Sequence, residues 1–228
     1  MNTTETTIKC YCPICKTEGK FIPFGNPKRK NAICPTCKSL ERHRFLYILY
    51  NFLFLNKSSS QKVLHFAPEE MLYNEISKNK NIEYIVGDLY PELFKFAPNC
   101  MKIDAMNLPF EKKSFDIILC NHILEHIEDD RLFIKNITEI LKDKGKFIFT
   151  IPVKYSFEKT YEDKNIKTEE DRLKHFGQKD HVRIYGNDIL DRFEGEFTIN
   201  KISTDFLGEH IKENLSLSNE TIYILEKN

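Results

Sequence analysis

The chain has 228 residues, of which 41% are hydrophobic and 30% charged, and its 34 basic and 34 acidic side chains cancel. That length can bury a core of its own and suits one medium domain with a small appendage. No stretch of 18 apolar residues is present, which excludes a membrane-spanning helix. No N-terminal apolar run resembles an export signal, so the seven cysteines are expected as reduced thiols and the location as cytoplasmic.

Charge is unevenly distributed along the chain. Residues 1–60 hold 10 Lys and Arg against 3 Asp and Glu, and residues 61–228 hold 24 against 31. A basic head on an acidic body fits nucleic-acid contact by the head, or simple attraction between the two parts. Within the head, Cys12-Pro13-Ile14-Cys15 and Cys34-Pro35-Thr36-Cys37 form two C-x2-C knuckles 18 residues apart. Each knuckle aims two sulfurs at one point, and two knuckles close a tetrahedron around Zn2+. With Cys12, Cys15, Cys34 and Cys37 all ligating, no position remains for a catalytic water, so the expected role is structural. Cys10 is expected to be a bystander.

Residues Lys20–Gly25 are expected to supply a short hairpin strand. Phe24 to Asn31 is a basic tip that reads as a solvated loop or a phosphate contact. Ser39 is the expected N-cap of a helix running to about Phe54, with Leu46, Leu49 and Leu53 on its buried face. The polar, Ser-rich segment Asn56–Gln61 is the expected boundary between a head of residues 1–56 and a body of residues 61–228.

The body alternates strands and helices. Val63–Phe66 reads as a strand, Glu69–Lys78 as a helix, and Ile82–Val86 as a second strand that ends in Gly87-Asp88. Met101–Ile103 and Phe115–Cys120 follow as strands, then a helix around Leu132–Leu141. Lys142-Asp143-Lys144-Gly145 reads as a turn whose glycine ends that helix. Lys146–Ile151, Phe197–Ser203 and Thr221–Glu226 are the remaining strands. Such alternation predicts an α/β fold with a parallel sheet covered on both faces, and ligands bind beyond the carboxyl ends of its strands.

Asp88, Asp104-Ala105-Met106 and Phe115 to His126 resemble the middle of a class I S-adenosylmethionine (SAM)-dependent methyltransferase, and the resemblance extends over roughly residues 61–228. Leu64-His65-Phe66-Ala67-Pro68-Glu69, Phe176 to Gly186 and Ser39 to Arg44 narrow it to type-11-like domains preceded by a four-cysteine head. The resemblance implies a Rossmann-like seven-stranded sheet behind a zinc-ribbon-like module. It also implies that Asp88 accepts hydrogen bonds from the ribose hydroxyls of the cofactor. Asp104 would take the adenine amino group, beside Ala105 and Met106. Asn121 and His122 would lie near the methionine part.

One departure stands out: the loop after the first body strand has no glycine. Ala67 is its smallest residue, and Glu69 or His65 is expected to meet the amino-acid end of the cofactor. Residues Tyr155 to Arg183 read as a lid over an acceptor pocket. Within it His181 beside Asp180 is the first candidate base, with His126 and His122 as rivals. Tyr155 and Arg183 are candidate acceptor contacts, Arg183 being equally readable as a buried brace. The expected activity is methyl transfer to a small-molecule or sugar-type acceptor, at oxygen. RNA methylation with the head gripping RNA is the second reading, and a non-catalytic adaptor the third. Nothing in the pattern sets an oligomeric state.

Overall fold

The computed structural model describes residues 9–25, 27–52 and 60–228. They form two compact units. The first gathers the described residues of 1–59 with Glu69–Lys80 and Ile202–Ile222, and the second holds Ser60–Pro68, Asn81–Lys201 and Tyr223–Asn228. The expected boundary falls largely on residues 53–59, outside the described residues, as does the helix end at Phe54. The division also differs from a simple cut of the chain, because two later segments join the head.

The reason lies in the size of the head. Its buried apolar cluster holds only Cys10, Cys12, Phe21 and Cys34, with Ile14, Cys15 and Cys37 packed against it. It has two short hairpins: β1 (Cys10–Tyr11) with β2 (Glu18–Gly19), and β3 (Ile22–Phe24) with β4 (Arg29–Ile33). These precede α1 (Glu41–Tyr50). So little apolar surface stabilises a fold weakly, and a C-terminal helix is drawn in. Arg44 Nε donates to Leu215 O at 2.9 Å, its Nη2 to Ser216 O, and the Ser216 hydroxyl to Asn31 O. Leu46 and Leu49 are buried as expected.

Ser39 does not cap α1. The N-cap is Leu40, whose backbone N–H donates to His43 Nδ1 at 3.2 Å. The Ser39 hydroxyl faces sulfur instead, 3.2 Å from Cys37 Sγ and 3.5 Å from Cys12 Sγ.

The seven-stranded sheet runs β12-β13-β9-β8-β5-β6-β7. Its members are β5 (Gln61–Phe66), β6 (Ile82–Asp88), β7 (Met101–Lys102), β8 (Phe115–Asn121), β9 (Leu141–Thr150), β12 (Phe197–Ser203) and β13 (Thr221–Lys227). The expected α/β fold with a seven-stranded Rossmann-like sheet is present: β13 runs antiparallel to β9, and the other central pairs are parallel. From β5 the chain proceeds outward through β6 and β7, then returns to place β8 on the other side of β5. The crevice at β5 and β8 is therefore a topological switch point. In register, Phe66 faces both Gly87 and Cys120, so Ala67, Asp88 and Asn121 end adjacent strands together. Gly87 is required there, since a Cβ would lie 2.1 Å from Ile103 Cδ1.

Helix α3 (Asp130–Ile140) covers the sheet with Phe133, Ile134, Ile137 and Ile140, an i, i+1, i+4, i+7 stripe. Asp129 starts it by accepting from Leu132 N at 3.0 Å. Gly145 does not end it. The helix stops at Leu141, in extended backbone, and residues 142–145 form an irregularity between the Phe115–Leu141 and Ile117–Lys146 pairs. Strands β8 and β9 carry Ile118, Cys120, Phe147 and Phe149 into the same core, where Phe149 stacks on Phe193 and Tyr223 at 5.2 and 5.0 Å. Each such aromatic burial contributes on the order of 2 kcal/mol.

Between β9 and β12 lies an antiparallel strand pair, β10 (Tyr161–Glu162) with β11 (Arg183–Ile184), with helix α4 (Glu169–Phe176) in the connection between them. Thr168 caps the start of α4 and left-handed Gly177 its end. The remaining helices, α2 (Glu70–Ile76) and α5 (Glu209–Leu215), belong to the first unit. No helix among the described residues is long and apolar enough to cross a membrane.

Candidate functional site

In the head, the two knuckles are copies of one another. Lys16 N donates to Cys12 O at 2.9 Å, and Lys38 N to Cys34 O at 3.0 Å. The residue after each knuckle, Lys16 or Lys38, takes a left-handed backbone. Its ammonium turns back to a proline carbonyl, Lys16 Nζ to Pro13 O at 2.6 Å and Lys38 Nζ to Pro35 O at 2.7 Å. Cys12 Sγ lies 3.6 Å from Cys37 Sγ, and Cys15 Sγ 3.5 Å from Cys34 Sγ. These are contacts between free thiols, and they are close to the sulfur spacing of roughly 3.8 Å in a tetrahedral zinc site.

The surroundings match that chemistry. Arg44 is fully buried, donates to Ser39 O at 2.7 Å, and stacks over Phe21 at 5.0 Å. A buried cation offsets the two net negative charges of four thiolates around a divalent ion. The hydrogen bond between Cys12 and Cys37 pulls the Cys12 thiol low and pushes the Cys37 thiol up. Cys10 lies outside the four-sulfur group, with its sulfur 3.6 Å from Glu213 O.

In the second unit the strand ends supply the next group. Ala67 has φ 44° and His122 has φ 52°, so adjacent β5 and β8 both leave the sheet through a left-handed residue that is not glycine. Such a conformation costs about 1–2 kcal/mol and persists where surrounding structure enforces it. Backbone hydrogen bonds do so here: Ala67 N to Gly87 O at 3.0 Å, and His122 N to Thr150 O at 2.8 Å. The chain thus keeps a sharp exit after β5 without glycine. Ala67→Gly is expected to raise the unfolding free energy by about 0.5 kcal/mol, strain relief exceeding the added chain entropy. Denaturant titration reads this directly, and a loss of 1 kcal/mol or more would remove the strain argument.

Asp88 ends β6 half-buried, with Oδ1 accepting from Tyr90 N at 2.8 Å. Burial pushes its carboxyl up from the ordinary range. Asp104 is exposed beyond β7 and accepts from Met106 N at 2.8 Å. Asn136 holds Ala105 O and Met106 O at 3.2 and 3.1 Å, which fixes that loop. Asn121 is buried, with Thr150 Oγ1 donating to its Oδ1 at 3.4 Å.

His65 is wholly buried, and its Nδ1 pairs with the Tyr84 hydroxyl at 2.7 Å. Glu69 is the N-cap residue of α2, with no side-chain capping bond.

A histidine cluster follows β8. His126 and His181 meet edge to face at 4.7 Å. His126 Nδ1 lies 3.2 Å from Asp180 O and 3.3 Å from Asp180 Oδ2. Val182 N donates to Glu125 O at 2.9 Å, tying the lid strand to this loop. Burial, followed by the neighbouring His126, holds His181 below its ordinary range, so it is a neutral imidazole near pH 7. Glu125, which sequence reasoning assigned no role, is 98% buried with Oε1 3.4 Å from His122 Nδ1. Its only sequence signal is a carboxylate one residue before His126.

Arg183 takes the brace role. It is 4% exposed and donates to Leu124 O, Ile127 O, Glu128 O and Glu162 Oε2. Those bonds hold the loop that carries His126, and they leave the guanidinium little to offer an acceptor. Tyr155 is 65% exposed.

Comparisons with known proteins agree with this architecture. Residues 68–149 match the methyltransferase domain family. An uncharacterized protein of Methanocaldococcus jannaschii is 30% identical over 98 residues, which cover 42% of this chain and 43% of that protein. The match therefore spans less than half the length of the curated relative. Among solved structures, the YcgJ protein of Bacillus subtilis aligns over 82% of this chain and 98% of its own, at 17% identity and a TM-score of 0.54. A SAM-dependent methyltransferase of Archaeoglobus fulgidus aligns over 82% and 92%, at 17% identity and a TM-score of 0.53. At that identity the likeness establishes the fold: a Rossmann-like α/β methyltransferase sheet.

Proposed function

We propose that the chain is a SAM-dependent methyltransferase acting at oxygen on a small-molecule or sugar-type acceptor, with a structural zinc ion in its head. The observation that carries this reading is the alignment of Ala67, Asp88 and Asn121–His122 at the carboxyl ends of adjacent strands in a methyltransferase-type sheet. Asp88 is a half-buried carboxylate with the lone pairs for a bidentate grip on two ribose hydroxyls. Asp104, Ala105 and Met106 form the polar edge and apolar wall suited to adenine, and Asn136 holds their backbone.

The cofactor supplies an electrophilic methyl group on a sulfonium. The protein must align the acceptor oxygen and remove its proton. His126 and His181, braced by Asp180, form the cluster at which that proton is handled, with Tyr155 exposed on the lid as an acceptor contact. The RNA reading loses strength at the basic tip. Arg29 there is tied to Glu41 by two hydrogen bonds at 2.8 and 3.2 Å, which removes one of the charges available to a phosphate.

Calorimetric titration with SAM tests the proposal. Wild-type chain is expected to bind, and Asp88→Ala to bind roughly ten- to a hundredfold more weakly, about 1.5–3 kcal/mol for a charge-assisted pair. Unchanged affinity in the variant removes the ribose assignment. A folded wild-type chain that binds no SAM removes the enzyme reading in favour of an adaptor.

A further inference from the structure

The geometry points to a second metal site, in the second unit, where Glu125, His126 and His181 bind a divalent first-row transition metal ion. The first sign is a buried carboxylate. Glu125 Oε2 is closed from solvent and has no hydrogen-bond partner, and its other oxygen reaches only His122 Nδ1, at 3.4 Å. A buried carboxylate oxygen without a partner is costly unless a cation or donor occupies the space beside it.

Two imidazoles converge on that space. One donor atom each from Glu125, His126 and His181 lies within 4.8 Å of the others. Ligands sharing an ion with metal–nitrogen bonds of about 2.1 Å lie roughly 3–3.5 Å apart, so side-chain rotations close the difference. The surrounding residues are arranged as metal centres require. Asp180 engages His126 Nδ1 through both its carbonyl and its carboxylate, which leaves Nε2 as the ligand atom, the carboxylate–histidine pairing common behind metal ligands. His122 steadies Glu125. The His126 side chain is 33% exposed, which provides an entry path.

Two nitrogens and one carboxylate favour zinc, iron, cobalt, nickel or manganese over the oxygen-seeking magnesium and calcium. Three protein ligands leave a position open, the mark of a catalytic rather than a structural centre. The role of this site rests on the methyltransferase reading, but its existence does not. An acceptor hydroxyl bound at the open position is acidified by the ion: its O–H bond breaks, the proton leaves to solvent water, and the oxygen stays on the metal as an alkoxide or phenolate. His126 and His181 are then ligands rather than bases. This gives the acceptor class: a hydroxyl compound able to coordinate a metal.

The test adds Co2+ to the full, zinc-loaded chain after dialysis, with bound metal counted by mass spectrometry and visible absorption recorded. One equivalent of Co2+ beyond the zinc is expected, without the intense charge-transfer band that thiolate ligands would produce. Glu125→Gln, which preserves shape, and His181→Ala are each expected to weaken Co2+ binding at least tenfold, and Asp180→Asn about tenfold. Absence of the second equivalent overturns the site, as does Co2+ affinity unchanged in Glu125→Gln. SAM titration of the same sample separates the two readings. SAM binding without Co2+ binding leaves the methyltransferase and removes the metal, and Co2+ binding without SAM does the reverse.

Discussion

Removing zinc from the head is expected to unfold the first unit. The four sulfurs of Cys12, Cys15, Cys34 and Cys37 gather within 4.8 Å of one another, two pairs of them at 3.6 and 3.5 Å, and the apolar cluster described around them is small, with Cys10, Cys12, Phe21 and Cys34 buried. Structural zinc in modules of this size binds with an apparent free energy of about 10–16 kcal/mol, most of it folding energy. Nothing else in the head approaches that figure. Metal analysis of the purified chain is expected to give one zinc at the head. Chelation, or Cys12→Ser, is expected to abolish it together with the protection of the α1 amides from hydrogen exchange. A Cys12→Ser chain that keeps full zinc occupancy and full α1 protection would remove the four-thiolate site.

That head was the part most legible in the sequence, because its chemistry is local. Two cysteines with two residues between them suit a metal knuckle, and the matched Cys-Pro-x-Cys-Lys strings fold into matched turns whose lysines reach back to Pro13 and Pro35. The strand succession from Val63 to Ile151 was legible for the same reason, since apolar runs and turn residues act over a few positions. What escaped were pairings between distant residues. Ser39 has the composition of an N-cap, but two sulfurs 3.2 and 3.5 Å away outcompete the helix for its hydroxyl, and Leu40 takes the cap position. Gly145 looks like a helix stop, yet α3 has already ended when β9 begins at Leu141. His65 stands next to the cofactor loop in sequence, and strand alternation turns it inward to Tyr84.

The absent glycines are the same lesson in reverse. Glycine is the residue that adopts a left-handed backbone without strain, so its absence reads as loss of the turn. The structure keeps the turn at Ala67 and repeats it at His122, because hydrogen bonds from neighbouring strands enforce both. Composition alone therefore understates how sharply the chain turns after β5. The burial of Glu125 was also beyond reach, since it depends on residues 180–182 closing over the loop after β8.

Substituting Arg183 by alanine is expected to cost 3–5 kcal/mol of stability, seen as a large fall in unfolding temperature before any question of substrate arises. Asp130 is 98% buried and faces Arg192 Nη1 at 2.7 Å, Arg183 Nε at 3.6 Å and the Tyr185 hydroxyl at 2.6 Å. Glu162 joins the same pair of guanidinium groups at 2.9 Å each. Removing one cation leaves the network short of charge in a region of low dielectric, and it also takes a donor from the carbonyls of Leu124, Ile127 and Glu128, the first of which keeps the Tyr185 hydroxyl. Lysine should not rescue, because one ammonium cannot span four acceptors set for a planar fork. The pH dependence has a definite sign. Burial works against the Glu162 charge, but the hydrogen bonds from Arg183 and Arg192 prevail and hold its carboxyl below the ordinary range. Its contribution is therefore full above the unfolded-state value and is lost as pH falls through the lower folded-state value, a loss the alanine variant should show less of. An Arg183→Ala chain that melts like wild type, and loses only affinity for an anionic acceptor, would instead place this residue in the acceptor pocket. The same substitution should loosen the loop carrying Glu125 and His126, so the brace and the histidine cluster are expected to fail together.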